Sequence, residues 1–432
     1  MRKKIFYGWW IVLATHIICL LGFGTWLYSF GVFFKPMMIE FGWTRAMTAG
    51  AASLRSVEGG VAGPVVGWAV DKYGARVIII IGAVISGLGF VLMPFIKSLL
   101  GFYLIYGFLL SIGMSAMLYI PAFTVIAKWF QRRLTLANAL LAAGAGFGGL
   151  ICAPIVAVLI THYGWRFAFL VMGIAIWVIV IPLALVVRDS PEEMGLRPDG
   201  DPPDSEDQEA EDSILDAKAE PSTASGTVDF TLRQALSSSA FWFISLAFFF
   251  QSMAHSVVFV HAVPALTDVG ISMEKAAFAI GLLTLVSVVG RLSFGFLGDI
   301  ITKRYLFMVS YSLMGTGVLI LMNARTMPMV YVFIALFGVG FGGNVPLMAA
   351  IRAEYFGRLA LGKIQGFMTP VTMLAGAIGP ISAGYLFDTT GTYRLAFLLT
   401  GLATFLAAVV MFFARPARLP KGPTVQGTRN LK

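Results

Sequence analysis

Gly67-Trp68-Ala69-Val70-Asp71-Lys72-Tyr73-Gly74-Ala75-Arg76 closes one long apolar run, and Gly295-Phe296-Leu297-Gly298-Asp299-Ile300-Ile301-Thr302-Lys303-Arg304 closes another. The second stretch lies 228 residues after the first, with Gly67, Asp71 and Arg76 matched by Gly295, Asp299 and Arg304. Trp165-Arg166-Phe167-Ala168-Phe169-Leu170 is matched at the same offset of 228 by Tyr393-Arg394-Leu395-Ala396-Phe397-Leu398. Trp129-Phe130 and Tyr355-Phe356 pair at an offset of 226. Three matches at nearly one spacing describe a duplicated chain, each copy carrying the same loop after its second apolar run.

The composition says what solvent the copies sit in. Hydrophobic residues make up 58% of the 432 residues and charged residues 12%, where soluble domains carry about 25% charged residues. Mean hydropathy is +0.84. So little charge cannot cover so much apolar surface in water. A secreted disulfide module, a nucleic-acid-binding domain and a soluble enzyme are excluded. Cys19 and Cys152 lie inside apolar runs, with no CxxC and no metal-ligand spacing. Arg2-Lys3-Lys4 resembles the start of a signal peptide, but the apolar stretch 11–34 is too long for one and reads as a retained first span.

A bilayer core takes about 20 apolar residues per helix. Twelve runs qualify: 10–34, 44–70, 77–96, 99–127, 134–160, 165–187, 240–264, 276–297, 305–322, 328–350, 362–387 and 394–413. The expected fold is an all-α membrane protein of twelve transmembrane helices in two pseudo-symmetric six-helix bundles, 1–188 and 239–414. Between them, 189–238 reads as an acidic, disordered cytoplasmic linker, and 415–432 as a cytoplasmic tail. The segment 189–229 alone holds 14 of the 22 acids, the composition of a chain that does not pack. Of the 31 bases, 22 fall on the side of the termini and linker, and seven on the other: Lys35, Arg45, Lys97, Arg166, Lys275, Arg325 and Arg394. The positive-inside rule then puts both termini and the linker in the cytoplasm.

The Gly-x-x-x-Asp…Arg loops have a physical logic. Their glycines allow close helix approach, and the acids cap or pair with neighbouring helix ends. In duplicate, they resemble the signature loop of the major facilitator superfamily over essentially the whole chain outside the linker. That resemblance implies a rocker-switch carrier in which Asp71, Arg76, Asp299 and Arg304 latch the cytoplasmic side. Two further stretches, Tyr7-Gly8-Trp9-Trp10 and Trp129-Phe130-Gln131-Arg132-Arg133 through Ala137 to Gly144, resemble the signatures of the monocarboxylate transporter family. Its members carry lactate- or pyruvate-like anions with a proton. The chain also resembles the related oxalate/formate exchangers, whose dicarboxylate site favours a second cation in span 11; here the part of that span from 366 to 387 has none. No phosphate-cradling G-x-x-x-x-G-K-[ST] and no hydrolytic constellation appears, so the expectation is a carrier, with no enzyme activity, cofactor or metal.

Ionisable residues inside spans are costly and are functional candidates by default. Arg291 in span 8 has no acid within its own span and would bind a carboxylate bidentately. The alternative is a structural arginine on backbone carbonyls. The resemblance implies the first, since Arg291 matches the family's carboxylate-binding arginine. Tyr119, His261, Ser287 and Tyr28 are the expected companions at the substrate site. Ser287 and Tyr28 stand where animal relatives have an Asp and a Lys, so their proton relay is not reproduced. Arg55 and Glu58, three residues apart in span 2, share a helix face. They read either as a self-neutralising pair or as a proton-coupling pair. The leading expectation is a monomeric, proton-coupled monocarboxylate symporter of a cell inner membrane. An organic-anion exchanger, a drug/proton antiporter and a non-transporting sensor are the alternatives.

Overall fold

The computed structural model describes residues 6–200, 230–357 and 360–416. Twelve long helices run through them. We label them α1 (Gly8–Phe41), α2 (Arg45–Tyr73), α3 (Ala75–Phe95), α4 (Leu99–Trp129), α5 (134–163), α6 (165–186), α7 (Ser239–Asp268), α8 (Met273–Ile300), α9 (Lys303–Asn323), α10 (Met327–Phe356), α11 (Leu361–Thr390) and α12 (Arg394–Phe413). Ten helical stretches are long and apolar enough to cross a membrane. The count rises to twelve for two reasons. Residues 134–186 form two spans turned at Gly164, whose φ of 83° breaks the helix. Helix α2 is diluted by glycines and by Arg55 and Glu58. Gly74, at φ 82°, turns α2 into α3 in the same way. A side chain is disfavoured at both positions.

The lateral surface is apolar: Val178 of α6 is 65% exposed and Val409 of α12 is 52% exposed. That is the surface lipid requires. Inside each half, backbones meet at small residues. Gly144, Gly148 and Cys152 recur every four residues along α5 and face α1. A Cβ on Gly148 would come against the Leu20 carbonyl and within 3.0 Å of the Gly24 nitrogen. Close approach of this kind is how membrane helices pack without a hydrophobic driving force between them.

The two stretches at 7–10 and 129–144 pack on each other. Trp9 lies 4.9 Å from the Phe130 ring and Tyr7 5.6 Å from Trp129, centroid to centroid. Gly8 leaves room for the Phe130 ring. The Tyr7 hydroxyl donates to the Val186 carbonyl at 2.8 Å, and Trp129 Nε1 donates to the Arg188 carbonyl at 2.9 Å. These signatures therefore clamp the ends of α1, α4 and α6 and lie at the rim of the fold.

The expected linker, 189–238, has ordered ends. Asp189 accepts from the Ala75 and Arg76 amides, the latter at 3.1 Å, and so caps α3. Asp199 accepts from the Gln131 and Arg132 amides at 2.9 and 2.8 Å. On the far side, Thr231 and Gln234 form a capping box that starts a short helix, Leu232–Leu236. The middle of the acidic stretch and the tail beyond 416 lie outside the described residues. Asp189→Ala is expected to cost about 1–2 kcal/mol and lower the unfolding temperature in detergent by about 2–6 °C. An unchanged unfolding temperature would show that Asp189 caps nothing of consequence.

Candidate functional site

The halves meet chiefly along two helix pairs, α2 with α11 and α5 with α8, with α1 against α7 as a smaller third contact. At the end remote from the termini they are tied by charge. Arg45, at the start of α2, forks onto Asp268 at the end of α7, with N···O distances of 2.8 and 3.0 Å. Lys35 reaches the same carboxylate at 2.8 Å. Asp388 of α11 accepts from the Arg45 and Ala46 amides, both at 2.9 Å, and so caps α2 from the other half. The Thr161 hydroxyl donates to Glu274 at 2.6 Å, joining α5 to α8. The Arg45 guanidinium also lies 3.5 Å from the Phe387 ring centroid.

Toward the termini the α2–α11 seam opens. Gly384 meets Arg45 and Ala46, Gly376 meets Ser56, and Gly60 meets Met373. Gly63 and Gly67 continue the Gly60 face of α2. A Cβ on Gly63 would find only Ile120, at 3.9 Å, and one on Gly67 would find nothing within 4 Å. Gly362 and Gly366 on α11 are equally free. The protein is therefore closed at the distal end and open at the end that carries the termini.

Arg291 sits where the α5–α8 seam gives way. Gly281 packs on Gly149 and Leu150, and Thr284 donates to the Gly146 carbonyl at 2.8 Å. Two turns further along, Arg291 reaches across to the Ala142 carbonyl of α5 through a long 3.4 Å bond. Its Nε is buried with no partner, and no acid pairs with it among the described residues. Tyr28 and Tyr119 lie within electrostatic reach of its charge. Three of the expected site residues, from α1, α4 and α8, thus lie within electrostatic reach of one another, with no hydrogen bond among them. Neither tyrosine hydroxyl has a partner among the described residues, so both remain available to an anion.

Both tyrosines sit at interruptions of their helices. Tyr28 ends a π-helical stretch, Phe23–Tyr28, inside α1. Tyr119 resumes α4 after Leu118, whose φ/ψ of −93°/−126° is not helical. A second π-helical stretch, Tyr103–Leu110, carries Tyr106. Such departures re-aim side chains and gather at functional sites.

Arg55 and Glu58 share a face without pairing. Glu58 accepts from the Ser115 hydroxyl of α4 at 3.2 Å, and its other oxygen is buried without a partner. Arg55 turns toward α1, 5.1 Å from the Trp26 ring centroid and beside the Tyr106 hydroxyl. The self-neutralising reading of this pair does not hold. Arg55, Trp26, His255, Ser252 and Thr372 line an inter-half cavity of about 280 Å³.

Two other expected companions are placed elsewhere. His261 is fully buried in the distal closure with both nitrogens engaged. The Tyr393 hydroxyl accepts from Arg45 at 2.8 Å and donates to His261 Nδ1 at 2.9 Å; Nε2 then donates to the Pro380 carbonyl at 2.8 Å. Ser287 bonds back to the Thr284 carbonyl at 2.6 Å and packs against Gly342 of α10. Thr284, Ser287 and Arg291 share one face of α8 by spacing, but the Ser287 hydroxyl is taken up by its own helix. At the open end, Asp71 and Asp299 make no ion pair among the described residues. Arg304 bonds the Tyr305 hydroxyl at 3.0 Å, and the Arg76 side chain has no hydrogen-bond or ion-pair partner among the described residues. His16 is a packing residue, bonded to the Leu140 carbonyl at 2.7 Å.

The sequence profile of the Major Facilitator Superfamily matches residues 14–293 and 244–431. The chain is 28% identical over 422 residues to monocarboxylate transporter 12 of Mus musculus, covering 95% of this chain and 85% of that one. It is 27% identical to monocarboxylate transporter 2 of Homo sapiens, covering 93% and 84%. Among solved structures it is similar to a bacterial homologue of the lysosomal transporter Spinster in an inward-facing, occupied conformation, with TM-score 0.72, 15% identity, and coverage of 94% and 97%. It is also similar to a D-xylose-proton symporter, with TM-score 0.72, 16% identity, and coverage of 95% and 98%.

Proposed function

We propose that this chain, which belongs to the major facilitator superfamily, is a proton-coupled symporter of small monocarboxylates. The coarser statement is firm: it is a multi-pass membrane transporter, and its relatives are carriers, not enzymes. The observation that supports the finer reading is Arg291, a guanidinium with no counter-ion among the described residues, reaching across the two halves with Tyr28 and Tyr119 within electrostatic reach. A planar carboxylate supplies the missing charge and accepts from the unpaired donors. The relatives named as monocarboxylate transporters support the same substrate class.

The substrate enters the open end, replaces water around Arg291, and is carried as the seams exchange. Glu58 is the proton carrier of this reading: one oxygen on Ser115, the other unpartnered, on the helix that lines the cleft. Asp71, Arg76, Asp299 and Arg304 hold the open end shut in the opposite state, which accounts for the two acids standing unpaired here. The base count on each side supports a cell membrane with both termini cytoplasmic.

The deciding experiment is uptake of labelled L-lactate and pyruvate into proteoliposomes, with and without an inward proton gradient. Gradient-stimulated uptake is expected. Absence of uptake of both anions by folded protein overturns the reading. Glu58→Gln is expected to abolish the stimulation by the gradient while leaving exchange of internal for external anion. Stimulation that survives in Glu58→Gln removes Glu58 from the proton path.

A further inference from the structure

We propose that the cavity around Arg55 is a second carboxylate-binding site, separate from Arg291 and deeper along the path. Arg55 is 9% exposed, and its Nη1 is buried without a partner. The only acid nearby on its helix, Glu58, turns away to Ser115. A buried cation left without an anion is unfavourable; among the described residues no acid pairs with Arg55, whose neighbours are the Trp26 and Phe30 rings at 5.1 and 5.8 Å and the Tyr106 hydroxyl. Trp26 Nε1, in the same wall, is a second buried donor with no partner. The imidazole of His255 faces the cavity from the other half, stacked on Phe341 at 4.8 Å. Trp26, Arg55 and His255, from α1, α2 and α7, therefore line one space, and Arg55 Nη1 and Trp26 Nε1 have no acceptor among the described residues.

The occupant is small and carries a carboxylate. The serine and threonine hydroxyls of the wall already donate to backbone carbonyls: Ser252 to Thr372 at 3.0 Å, Ser256 to Met253 at 2.9 Å, Ser56 to Ala52 at 3.3 Å. They face a ligand with lone pairs only, which suits the donating hydroxyl of a hydroxy acid. The rest of the wall, Phe259 and Met373, is apolar.

Depth separates this cavity from Arg291. At 1.5 Å per residue, Arg55 lies about 15 Å below the distal end of α2, and Arg291 about 27 Å below that of α8. Roughly 12 Å of depth is too far for one short dicarboxylate to bridge. The two cations are successive stations for one carboxylate group, and the Arg55 station lies against the distal closure.

The proposal shares with the symport reading only that the protein binds carboxylates. Its test is tryptophan fluorescence of the purified full chain titrated with L-lactate, pyruvate and acetate, with chloride as control and Trp26→Phe as the blank. A carboxylate-dependent signal that needs Trp26 is expected. It should persist in Arg291→Ala, weaken about 10- to 100-fold in apparent affinity in Arg55→Met, and less in Arg55→Lys, which keeps the charge. Thermal unfolding of each variant establishes that it is folded, and Arg55→Lys carries the test if Arg55→Met is not. Absence of a Trp26-dependent signal, or one lost in Arg291→Ala, overturns the second site. In that case Arg291-dependent uptake would leave the symport reading standing. A Trp26-dependent signal without any uptake would do the reverse.

Discussion

Arg291→Ala is expected to reduce carboxylate uptake at least about 30-fold, since truncating a desolvated, hydrogen-bonded charge costs about 2–5 kcal/mol. The loss should fall on transport and spare the fold. Arg291 makes one long bond to the Ala142 carbonyl and no ion pair, so removing it strands no partner. Expression and unfolding temperature should therefore stay near wild type. Arg291→Lys separates charge from shape. An ammonium keeps the charge and loses the planar fork, so partial activity is expected. Uptake by Arg291→Ala within twofold of wild type would remove Arg291 from the substrate path, and the arginine would then be a strut between α5 and α8.

The spans were legible because lipid imposes a length and a composition that a single sequence displays. Arg291 stood out as a candidate because a lone cation in an apolar run has few explanations. The geometry around it was not legible. Tyr28, Trp26 and Tyr106 owe their directions to π-helical stretches, and an extra residue per turn leaves no mark in apolar periodicity. Ser287 shows a different limit. It lies one turn from Arg291 on the same face, yet its hydroxyl is bonded to the Thr284 carbonyl of its own helix, a choice of acceptor that a sequence does not display.

His261 failed for a different reason. It was expected at the substrate site, but its partners, Tyr393 and Pro380, come from segments more than a hundred residues away. The distal closure as a whole was missed because Lys35 and Arg45 were read as topology signals. The repeat held a usable hint. Glu40 and Asp268 stand at the offset of 228 that relates the two loops. Glu40 stays within its half, bonded to Arg166 and to Trp165 Nε1. Asp268 has an arginine in the equivalent place, Arg394, yet it crosses to Arg45 and Lys35. A pseudo-symmetric pair that breaks symmetry is where one half holds the other.

That asymmetry carries the second large expectation. Arg45→Ala should open the distal end. The Arg45 side chain is 7% exposed and serves three partners at once: Asp268, the Tyr393 hydroxyl and the Phe387 ring. Removing it leaves Asp268 to Lys35 alone, and leaves Tyr393 bonded to His261 without the charge that anchored both. Breaking a buried pair from one side costs about 3–5 kcal/mol. Asp268 is a quarter exposed and keeps Lys35, so about 2 kcal/mol is the fair share. A bias of about 2 kcal/mol shifts a two-state equilibrium about 30-fold. The readout is a cysteine placed by Ser53→Cys, below the closure, after Cys19→Ser and Cys152→Ser. Labelling by a membrane-impermeant maleimide from the distal side should accelerate by roughly that factor, about 30-fold. Uptake should fall as well, because a carrier held open at one end cannot cycle. Labelling at the wild-type rate would mean that the backbone caps on Asp388 and the Gly384 contact hold the distal end closed unaided, and that the Arg45 side chain is not its lock.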